Sequence, residues 1–576
     1  MAVYILAALC AAMFSPVTVQ AAAEVTAPAG RLVGLEQDVF GTTVHTFLGI
    51  PFAHPPVGER RFRRAERLPP WDGVYNATTY PNTCIQESSL TVLGGEITPK
   101  SEDCLYLNVW QPNPVPTGAA VMVWIHGGGF RTGSSAQYTG KYLSAAEGVV
   151  VVTINYRIGV LGFLYTGTND APGNMGLTDQ LLALQWVQEN IPSFGGDSSK
   201  VTIFGNSAGA ASVGFHLLSP ESRDVFSRGI LQSGTALQPW PGILDTISDA
   251  TDKTTAFSES LGCPTEQGTA ALLTCLRSKD AQQFATLTSF YPVNDNIFIP
   301  LNPSDAIDDG MFKRADILIG TNTNECVLLF NFLLGISGFS VGSNSPVDRE
   351  QFLQAMNMPP QGFNELVLEA VEFQYTDWPH PDADTRYRDI LDAARGDYSF
   401  VCPAVTTAQA HARFGTSVYM YQFAHRVTAS PWPDWVVTTH GDELQFVFGL
   451  PTMPDAGYST EDAEVSRTVM RYWANFAKIG NPNNNDDAVW TPFTETNRAY
   501  MFLDGSSPRM MTGLKTTECS LWDVYVPSLM NKTDPVQCQT TSGAGLPSVW
   551  GQSLTLALLL TVFKDFISFV TMVFLL

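Results

Sequence analysis

The stretch at residues 201–209 constrains the fold more than any other part of the chain. Its sequence, Val-Thr-Ile-Phe-Gly-Asn-Ser-Ala-Gly, predicts an apolar strand ending in a sharp turn, and residues 210–218 continue as a helical pattern. Gly205 and Gly209 allow backbone segments to pack where a Cβ atom would clash. Ser207 is therefore predicted to lie on a strained strand-to-helix corner, where the first N–H groups of the helix favour negative charge.

The same G-x-S-x-G pattern occurs a second time, around Ser340. Its neighbours are glycine, serine, asparagine and proline, with no apolar strand before the pattern and no helix after it. A pattern with three defined positions is weak without the strand–turn–helix setting. We therefore interpret Ser340 as a loop residue and Ser207 as a candidate nucleophile; the alternative for Ser207 is a small turn residue of a buried α/β unit.

Apolar runs recur along the chain and alternate with helical patterns such as residues 179–189. This alternation favours an α/β fold with a mostly parallel, doubly wound sheet and helices on both faces. No internal repeat or low-complexity linker occurs before about residue 530, which favours one domain over residues 24–530. The predicted strands are residues 105–110, 120–126, 149–155, 201–204, 229–232, 317–320 and 417–423.

The chain of 576 residues carries a formal net charge of −23. This excess of acidic residues argues against nucleic-acid binding, which requires a surface rich in lysine and arginine. A negative surface would attract cationic substrates by long-range steering. It would equally serve to keep a secreted protein in solution.

Both ends of the chain resemble processing segments. Residues 1–23 contain a mostly apolar run followed by small residues, which predicts a signal peptide. Residues 531–545 form a linker with a candidate attachment site for a glycosylphosphatidylinositol (GPI) anchor, and residues 546–576 form the hydrophobic signal that would be removed. A single-pass membrane anchor is the alternative. These segments predict an extracellular protein, GPI-anchored to the plasma membrane or alternatively secreted.

A secreted protein is expected to pair its cysteines. Cys10 leaves with the signal peptide, Cys326 is predicted to be a buried free thiol, and Cys538 is a candidate for bridging two subunits. Asn76 and Asn531 lie in glycosylation sequons, which are compatible with surface positions. The candidate pairs within the chain are Cys84 with Cys104, Cys263 with Cys275, and Cys402 with Cys519.

A serine nucleophile requires donors for the developing oxyanion, a base, and an acid that orients the base. The predicted strand at 120–126 ends at His126, which opens the run His126-Gly-Gly-Gly-Phe130. A glycine run behind a strand lets backbone N–H groups face a ligand, as in the HGGG loops of esterases. A phosphate-binding loop is disfavoured because no Gly-Lys-Ser/Thr sequence follows.

In α/β-hydrolases the acid and then the histidine follow the nucleophile along the chain, each at the C-terminal end of a strand. The predicted strand at 317–320 runs into Glu325, which is a candidate acid. Of the later histidines, His411 lies in a helical pattern, whereas His440 lies in a loop before an apolar segment. His440 has the best context, although the local pattern leaves His425 open.

Short motifs over about residues 30–530 carry a family resemblance. They are Phe47-Leu-Gly-Ile-Pro-Phe-Ala53, Ser101-Glu-Asp-Cys-Leu-Tyr-Leu-Asn108, Gly127-Gly-Gly-Phe130, Asn155-Tyr-Arg157, Gly205-x-Ser-Ala-Gly209, Leu231-Gln-Ser-Gly234, His440-Gly441 and Tyr472-Trp473. Together they resemble the cholinesterase/carboxylesterase (type-B) family of α/β-hydrolases. The resemblance implies the α/β-hydrolase fold with long loop insertions, and a serine carboxylic ester hydrolase that acts through an acyl-enzyme without metal or cofactor.

The family pattern also implies roles for individual residues. Ser207 would be the nucleophile, Glu325 the orienting acid and His440 the general base. The three disulfides would form as paired above. The oxyanion hole would consist of the backbone N–H groups of Gly128, Gly129 and Ala208.

Several positions depart from the cholinesterases of this family, which hold a quaternary ammonium group against an indole ring. Gly94 occupies the position of that indole, in a shortened loop without tryptophan. Asn206 replaces the glutamate that usually precedes the nucleophile. Leu328 and Leu329 occupy positions where the family has aromatic residues. Of the aromatic residues that line the acyl and choline pocket in the family, Trp240 is the one that matches in this sequence.

These departures predict a broad specificity for carboxylic esters. One alternative is a true cholinesterase that binds choline with other aromatic residues, and a cysteine shortly before a GPI signal, such as Cys538, also resembles the dimeric anchored cholinesterases. Another is a non-catalytic, cholinesterase-like adhesion protein similar to the neuroligins. Such relatives commonly lack a triad member, whereas this chain keeps Ser207, Glu325 and His440.

Overall fold

The computed structural model describes residues 22–87, 95–239, 243–285, 290–327, 346–357, 362–483, 489–505 and 507–533. The chain divides into two units, Met1–Tyr525 and Val526–Leu576. Within the described ranges, no helix is both long enough and apolar enough to cross a membrane. The predicted GPI signal, Ser340 and Cys538 lie outside those ranges.

The strands of the described residues all lie in the first unit, and the apolar runs of the sequence account for the central ones. The strands are β1 (Ala22–Ala27), β2 (Gly30–Val39), β3 (Thr42–Pro51), β4 (Val74–Asn76), β5 (Thr83–Cys84), β6 (Lys100–Ser101), β7 (Tyr106–Asn113), β8 (Ala119–Ile125), β9 (Val150–Ile154), β10 (Tyr165–Thr168), β11 (Ala171–Pro172), β12 (Gly196–Asn206), β13 (Arg228–Gln232), β14 (Asp316–Asn322), β15 (Val418–Phe423), β16 (Ala499–Leu503) and β17 (Arg509–Thr512).

One large sheet organises this unit. Within the described ranges it has 13 strands in the spatial order β1-β2-β3-β7-β9-β8-β12-β13-β14-β15-β16-β17, with β4 beside β2. The pairs from β9 through β8, β12, β13, β14 and β15 to β16 are parallel. The pairs from β1 through β2, β3 and β7 to β9, and the pair of β16 with β17, are antiparallel, whereas β4 lies parallel to β2. Because the carboxyl ends of parallel strands meet at one edge, the loops after β8, β12, β13 and β14 lie together.

Helices connect the strands and cover both faces of the sheet. The longest of those described, Thr460–Ile479, begins with a capping box between Ser459 and Asp462, and Gly480 ends it in the left-handed conformation. The α-helices of the described residues are α1 (Lys141–Glu147), α2 (Gly159–Phe163), α3 (Met175–Asn190), α4 (Ala208–Leu218), α5 (Ile247–Ser260), α6 (Thr269–Ser278), α7 (Pro303–Asp308), α8 (Arg349–Met356), α9 (Glu365–Tyr375), α10 (Arg386–Gly396), α11 (Cys402–Arg413), α12 (Leu444–Val447), α13 (Thr460–Ile479), α14 (Thr516–Ser520) and, in the second unit, α15 (Val526–Thr533).

The hydrophobic core lies on both faces of the sheet because successive residues of a strand point to opposite sides. On β8, Val121, Val123 and Ile125 pack into one buried cluster, whereas Met122 and Trp124 pack into the other. Every residue of β8 is buried, as expected for a parallel strand covered by helices on both sides.

The predicted fold class is confirmed: the structure has a large, mostly parallel sheet with helices on both faces, and all seven predicted strands form. β12 begins at Gly196, five residues before the apolar run, because Gly196 already pairs with Ala119 of β8. The polar residues 197–200 lie in a register shift before the pairing resumes at Val201. β1 includes Ala22 and Ala23, the last two residues of the predicted signal peptide.

Three disulfides join the cysteines that were predicted to pair. Cys84 bonds to Cys104, Cys263 to Cys275 and Cys402 to Cys519. Cys326 is a buried free thiol, as predicted. Of the two sequon asparagines, Asn76 ends β4 and Asn531 lies on α15, and both side chains are exposed.

Candidate active site

Ser207 lies at the turn between β12 and α4. β12 ends at Asn206 and α4 begins at Ala208, so a single residue makes the turn from strand to helix. Its backbone has φ 59° and ψ −125°, a strained conformation for a residue with a side chain. The Ser207 N–H donates to the carbonyl oxygen of Gln232 at 2.9 Å, which ties the turn to β13. This is the setting typical of a nucleophile elbow.

The glycines around Ser207 are required by close packing. A Cβ atom on Gly209 would overlap the carbonyl oxygen of Ile125, at the end of β8. A Cβ atom on Gly205 would lie 2.5 Å from the carbonyl carbon of Gly209. Strand and helix can therefore cross this closely only if both positions lack a side chain.

The glycine loop after β8 lies against the same corner. A Cβ atom on Gly127 would lie 3.2 Å from the Cβ atom of Ser207. Gly128 and Gly129 follow with φ angles of +107° and +61°, which favour glycine. Ala208 is the first residue of α4, and first-turn N–H groups have no acceptor within their own helix. The loop and the start of the helix thus both bring backbone to Ser207.

His126 opens the glycine loop as an uncharged side chain. Its ring is buried and stacks on Tyr156, with 4.3 Å between ring centroids. Its Nδ1 lies 2.9 Å from the carbonyl oxygen of Gly127. Burial lowers the pKa of His126 to about 4, so the ring is neutral at physiological pH. His126 therefore supports the loop without adding charge beside the nucleophile.

Glu325 lies in the loop after β14 and is almost completely buried. Its Oε1 accepts hydrogen bonds from the Ser233 hydroxyl at 2.5 Å and from the Asn322 N–H at 2.6 Å. Its Oε2 lies 2.6 Å from Nδ1 of His440. Ser233 directly follows β13 and Asn322 ends β14, so two neighbouring strand ends aim the carboxylate at the histidine.

His440 has the geometry of an oriented base. Because its Nδ1–H donates to Glu325, Nε2 is the nitrogen that can take a proton. The ring packs against Phe400, with 4.6 Å between ring centroids. The segment before His440 runs beside the acid loop, where Asn324 and Thr439 form a parallel bridge. A buried carboxylate that fixes the tautomer of a histidine is the arrangement of a general base in acyl transfer.

The other two histidines considered from the sequence have different partners. Nε2 of His425 lies 2.8 Å from Oδ1 of Asp462, which forms the capping box of α13 with Ser459. His411 is buried in α11 and stacks on Phe312, and burial lowers its pKa to about 3. The structure therefore brings His440, and not His425, to Glu325.

Sequence reasoning did not identify Glu443 as part of the site. This fully buried carboxylate accepts amide hydrogen bonds from Asn206 (2.8 Å), Gln232 (3.0 Å) and Asn322 (2.7 Å). The three amides are the last residues of β12, β13 and β14, whose ends align in the parallel sheet. Three buried amide donors at adjacent strand ends require a common acceptor. The amide residue at the end of each of these three strands is therefore the sequence feature that could have predicted a buried carboxylate.

Asn206 satisfies Glu443 without adding a charge next to the nucleophile. Burial raises the pKa of Glu443, and the nearby Glu325 carboxylate raises it further, whereas the amide hydrogen bonds act in the opposite direction. A glutamate at position 206 would place a second carboxylate against Glu443. Asparagine in place of the family's usual glutamate at position 206 therefore leaves a neutral residue beside Ser207.

Several predicted pocket residues cannot be placed. Trp240, Leu328, Leu329 and Gly94 lie outside the described residues. In the part of the chain that the structure describes, no three histidine, cysteine, aspartate or glutamate side chains are arranged to hold a metal ion.

Comparison with known proteins identifies the family. The sequence model of the carboxylesterase family matches residues 21–522. The chain belongs to the carboxylesterase family. It is 41% identical to the cholinesterase of Mus musculus over 536 residues, which are 89% of this chain and 88% of that protein. It is also 41% identical to the acetylcholinesterase of Danio rerio over 552 residues, 86% of each chain.

Membership in the carboxylesterase family makes the protein a carboxylic ester hydrolase with the α/β-hydrolase fold. The predicted family and enzyme class are therefore confirmed.

Proposed function

We propose that this carboxylesterase-family enzyme hydrolyses a broad range of carboxylic esters with Ser207, His440 and Glu325. The observation that carries the proposal is the 2.6 Å contact between His440 Nδ1 and the buried Glu325 carboxylate. It occurs at the sheet edge where Ser207 lies in its strained turn. Nucleophile, acid and base follow one another along the chain in the order of α/β-hydrolases.

The reaction would proceed through an acyl-enzyme. His440 Nε2 takes the proton of Ser207 as Oγ attacks the ester carbonyl carbon, and Glu325 stabilises the resulting imidazolium. Backbone N–H groups of the glycine loop and of Ala208 would bind the oxyanion, each contributing about 3 kcal/mol to the transition state. His440 then donates its proton to the leaving alcohol, and water releases the acid by the same route.

The surroundings of Ser207 support esters with uncharged alcohol groups. The side chain at position 206 is a neutral amide bound to Glu443. The shortened loop that contains Gly94 has no tryptophan to contact a quaternary ammonium group. A desolvated cation–π contact can be worth about 2 kcal/mol, so its loss would remove most preference for choline over a neutral alcohol.

Choline-ester hydrolysis is the second candidate. The observation that favours it is the 41% identity to proteins named cholinesterase and acetylcholinesterase over most of the chain. In that case aromatic residues other than those of the usual choline site would bind the ammonium group.

The deciding experiment measures kcat/KM for acetylthiocholine and for its uncharged dimethylbutyl isostere, with Ser207→Ala as the control. We expect rates within about threefold of each other, and no activity in the variant. A preference of tenfold or more for the charged ester, about 1.4 kcal/mol in the transition state, would favour the cholinesterase. No turnover of either ester by the folded wild-type protein would instead support an adhesion protein.

We also propose that the protein acts at the cell surface, anchored by GPI at a site within 531–545, and that Cys538 links two chains. The apolar sequence of residues 546–576 supports the first proposal. Release of activity from cells by phosphatidylinositol-specific phospholipase C tests the anchor. Non-reducing electrophoresis of wild type and Cys538→Ser tests the link.

A further inference from the structure

Asp392 lies on the helix that packs against the candidate acid. It belongs to α10, and its side chain is buried. On the same helix, a Cβ atom on Gly396 would lie 3.6 Å from the Cβ atom of Glu325, in ordinary van der Waals contact. The proposed reaction assigns no role to this carboxylate.

The two oxygens of Asp392 hold the two residues that flank Glu325. Oδ2 accepts a hydrogen bond from the Asn324 side-chain amide at 2.7 Å. Oδ1 accepts one from the backbone N–H of Cys326 at 3.2 Å. One carboxylate thus brackets the catalytic acid on both sides along the chain.

Asn324 extends this bracket to the loop that carries His440. Its backbone N–H donates to the carbonyl oxygen of Thr438 at 2.8 Å. Its side-chain oxygen accepts from the N–H of Val437 at 2.9 Å. The Asn324 amide group therefore has a required orientation, with nitrogen toward Asp392 and oxygen toward Val437.

We propose that Asp392 is a positioning residue for ester hydrolysis, which acts by setting the geometry of the Glu325–His440 pair through Asn324 and Cys326. The inference rests on the function proposed above for those two residues. Asp392 would not touch the substrate, and its effect would pass through the two loops that it joins.

The charges around Asp392 set it apart from its neighbours. Asp389 pairs with Arg388 at 2.6 Å, and Asp397 pairs with Lys515 at 3.3 Å, whereas Asp392 is held by an amide and a backbone N–H. Burial raises the pKa of Asp392 to about 7, and a cavity of about 370 Å³ adjoins it. The charged and titratable groups near it are Glu325, Cys326, Arg388, Asp389, Arg395, Asp397 and Lys515.

The two side chains can be exchanged without changing their size. In the double variant Asp392→Asn/Asn324→Asp, the amide at 392 would donate to the carboxylate at 324, while its oxygen still accepts from Cys326. The other oxygen at 324 would still accept from Val437. Each single variant instead places two donors or two carboxylates against each other, which costs a buried hydrogen bond.

We expect each single variant to lower kcat/KM at least about tenfold, and the double variant to recover to within about threefold of wild type. In the double variant the carboxylate stands at a more exposed position, so the acid limb of kcat/KM should shift to lower pH. Asp389→Asn is the matched control, because it removes a carboxylate from the same helix and cavity without touching the acid loop. It should leave kcat/KM at the pH optimum unchanged.

Other outcomes would overturn the inference. Wild-type kcat/KM in both single variants would show that the hydrogen bonds of Asp392 do not affect the reaction. The same conclusion would follow if the double variant folded with the wild-type unfolding midpoint but remained as inactive as the single variants. If Asp392→Asn does not fold, Asn324→Asp and the double variant make the same comparison. Absence of Ser207-dependent activity in the wild type would refute the proposed function, and this inference with it.

Discussion

At the scale of single residues, one methyl group decides whether the nucleophile corner can form. A Cβ atom on Gly209 would overlap the carbonyl oxygen of Ile125, a backbone atom that can move only with β8. We predict that Gly209→Ala lowers the free energy of unfolding by about 1–3 kcal/mol. It should also lower kcat/KM, because the adjacent Ser207 turn must shift. Urea unfolding and ester hydrolysis check the two effects.

Gly396→Ala is the matched control for this prediction. Its Cβ atom would make only ordinary contact, 3.6 Å from the Cβ atom of Glu325, and alanine is the better helix former by about 1 kcal/mol. The unfolding midpoint should stay the same or rise. Equal destabilisation by both substitutions would argue against the packing explanation.

At the scale of elements, a disulfide holds α14 to the start of α11. Cys402 and Cys519 are 117 positions apart, whereas Cys263 and Cys275 are 12 apart. A cross-link restricts the unfolded chain more when it closes a longer loop. Replacing Cys402 and Cys519 by serine should therefore cost about 2 kcal/mol more unfolding free energy than replacing the other pair.

Denaturant unfolding of the two double-serine variants gives this comparison directly. Both variants lose one disulfide, so the loss of the sulfur–sulfur bond itself is common to them. A larger destabilisation from the short loop would mean that local packing, and not chain entropy, dominates.

At the scale of the whole molecule, buried carboxyl groups make stability depend on pH. Burial raises the pKa of Asp392 to about 7, and those of Asp397 and Asp442 to about 6. An unfolded aspartate titrates near about 3.9. Between these values the folded protein holds protons that the unfolded chain has released, so these groups lower the unfolding free energy as pH rises.

Asp392→Asn should remove its share of this slope, up to about 1.4 kcal/mol per pH unit between about pH 4 and pH 7. The measurement is urea unfolding of wild type and variant at several pH values in that range. The difference in unfolding free energy between the two proteins should change steadily across this range, because only the wild type loses stability through this group as the pH rises. A variant with the wild-type slope would show that Asp392 titrates alike in the folded and unfolded states.

Local sequence patterns by themselves determined much of this protein. Apolar runs predicted the central strands, and the two glycines around Ser207 predicted the strand-to-helix turn. Both signals are local, because hydrophobic periodicity and the conformational freedom of glycine depend on residues that are neighbours in the sequence. The strand β12 was predicted too short, since its first residue, Gly196, pairs with Ala119 of β8 ahead of a register shift that no apolar pattern marks. The family followed from motifs that are themselves short and local.

Only the tertiary structure decided which distant side chains meet. His440 and His425 are similar by local pattern, and the choice depends on a contact with Glu325 across 115 positions. Glu443 meets Asn206 across 237 positions, and Asp392 meets Asn324 across 68. These residues come together because parallel strands align their carboxyl ends and α10 packs beside them. The spacing of residues within one segment does not predict which distant segments will be aligned in this way.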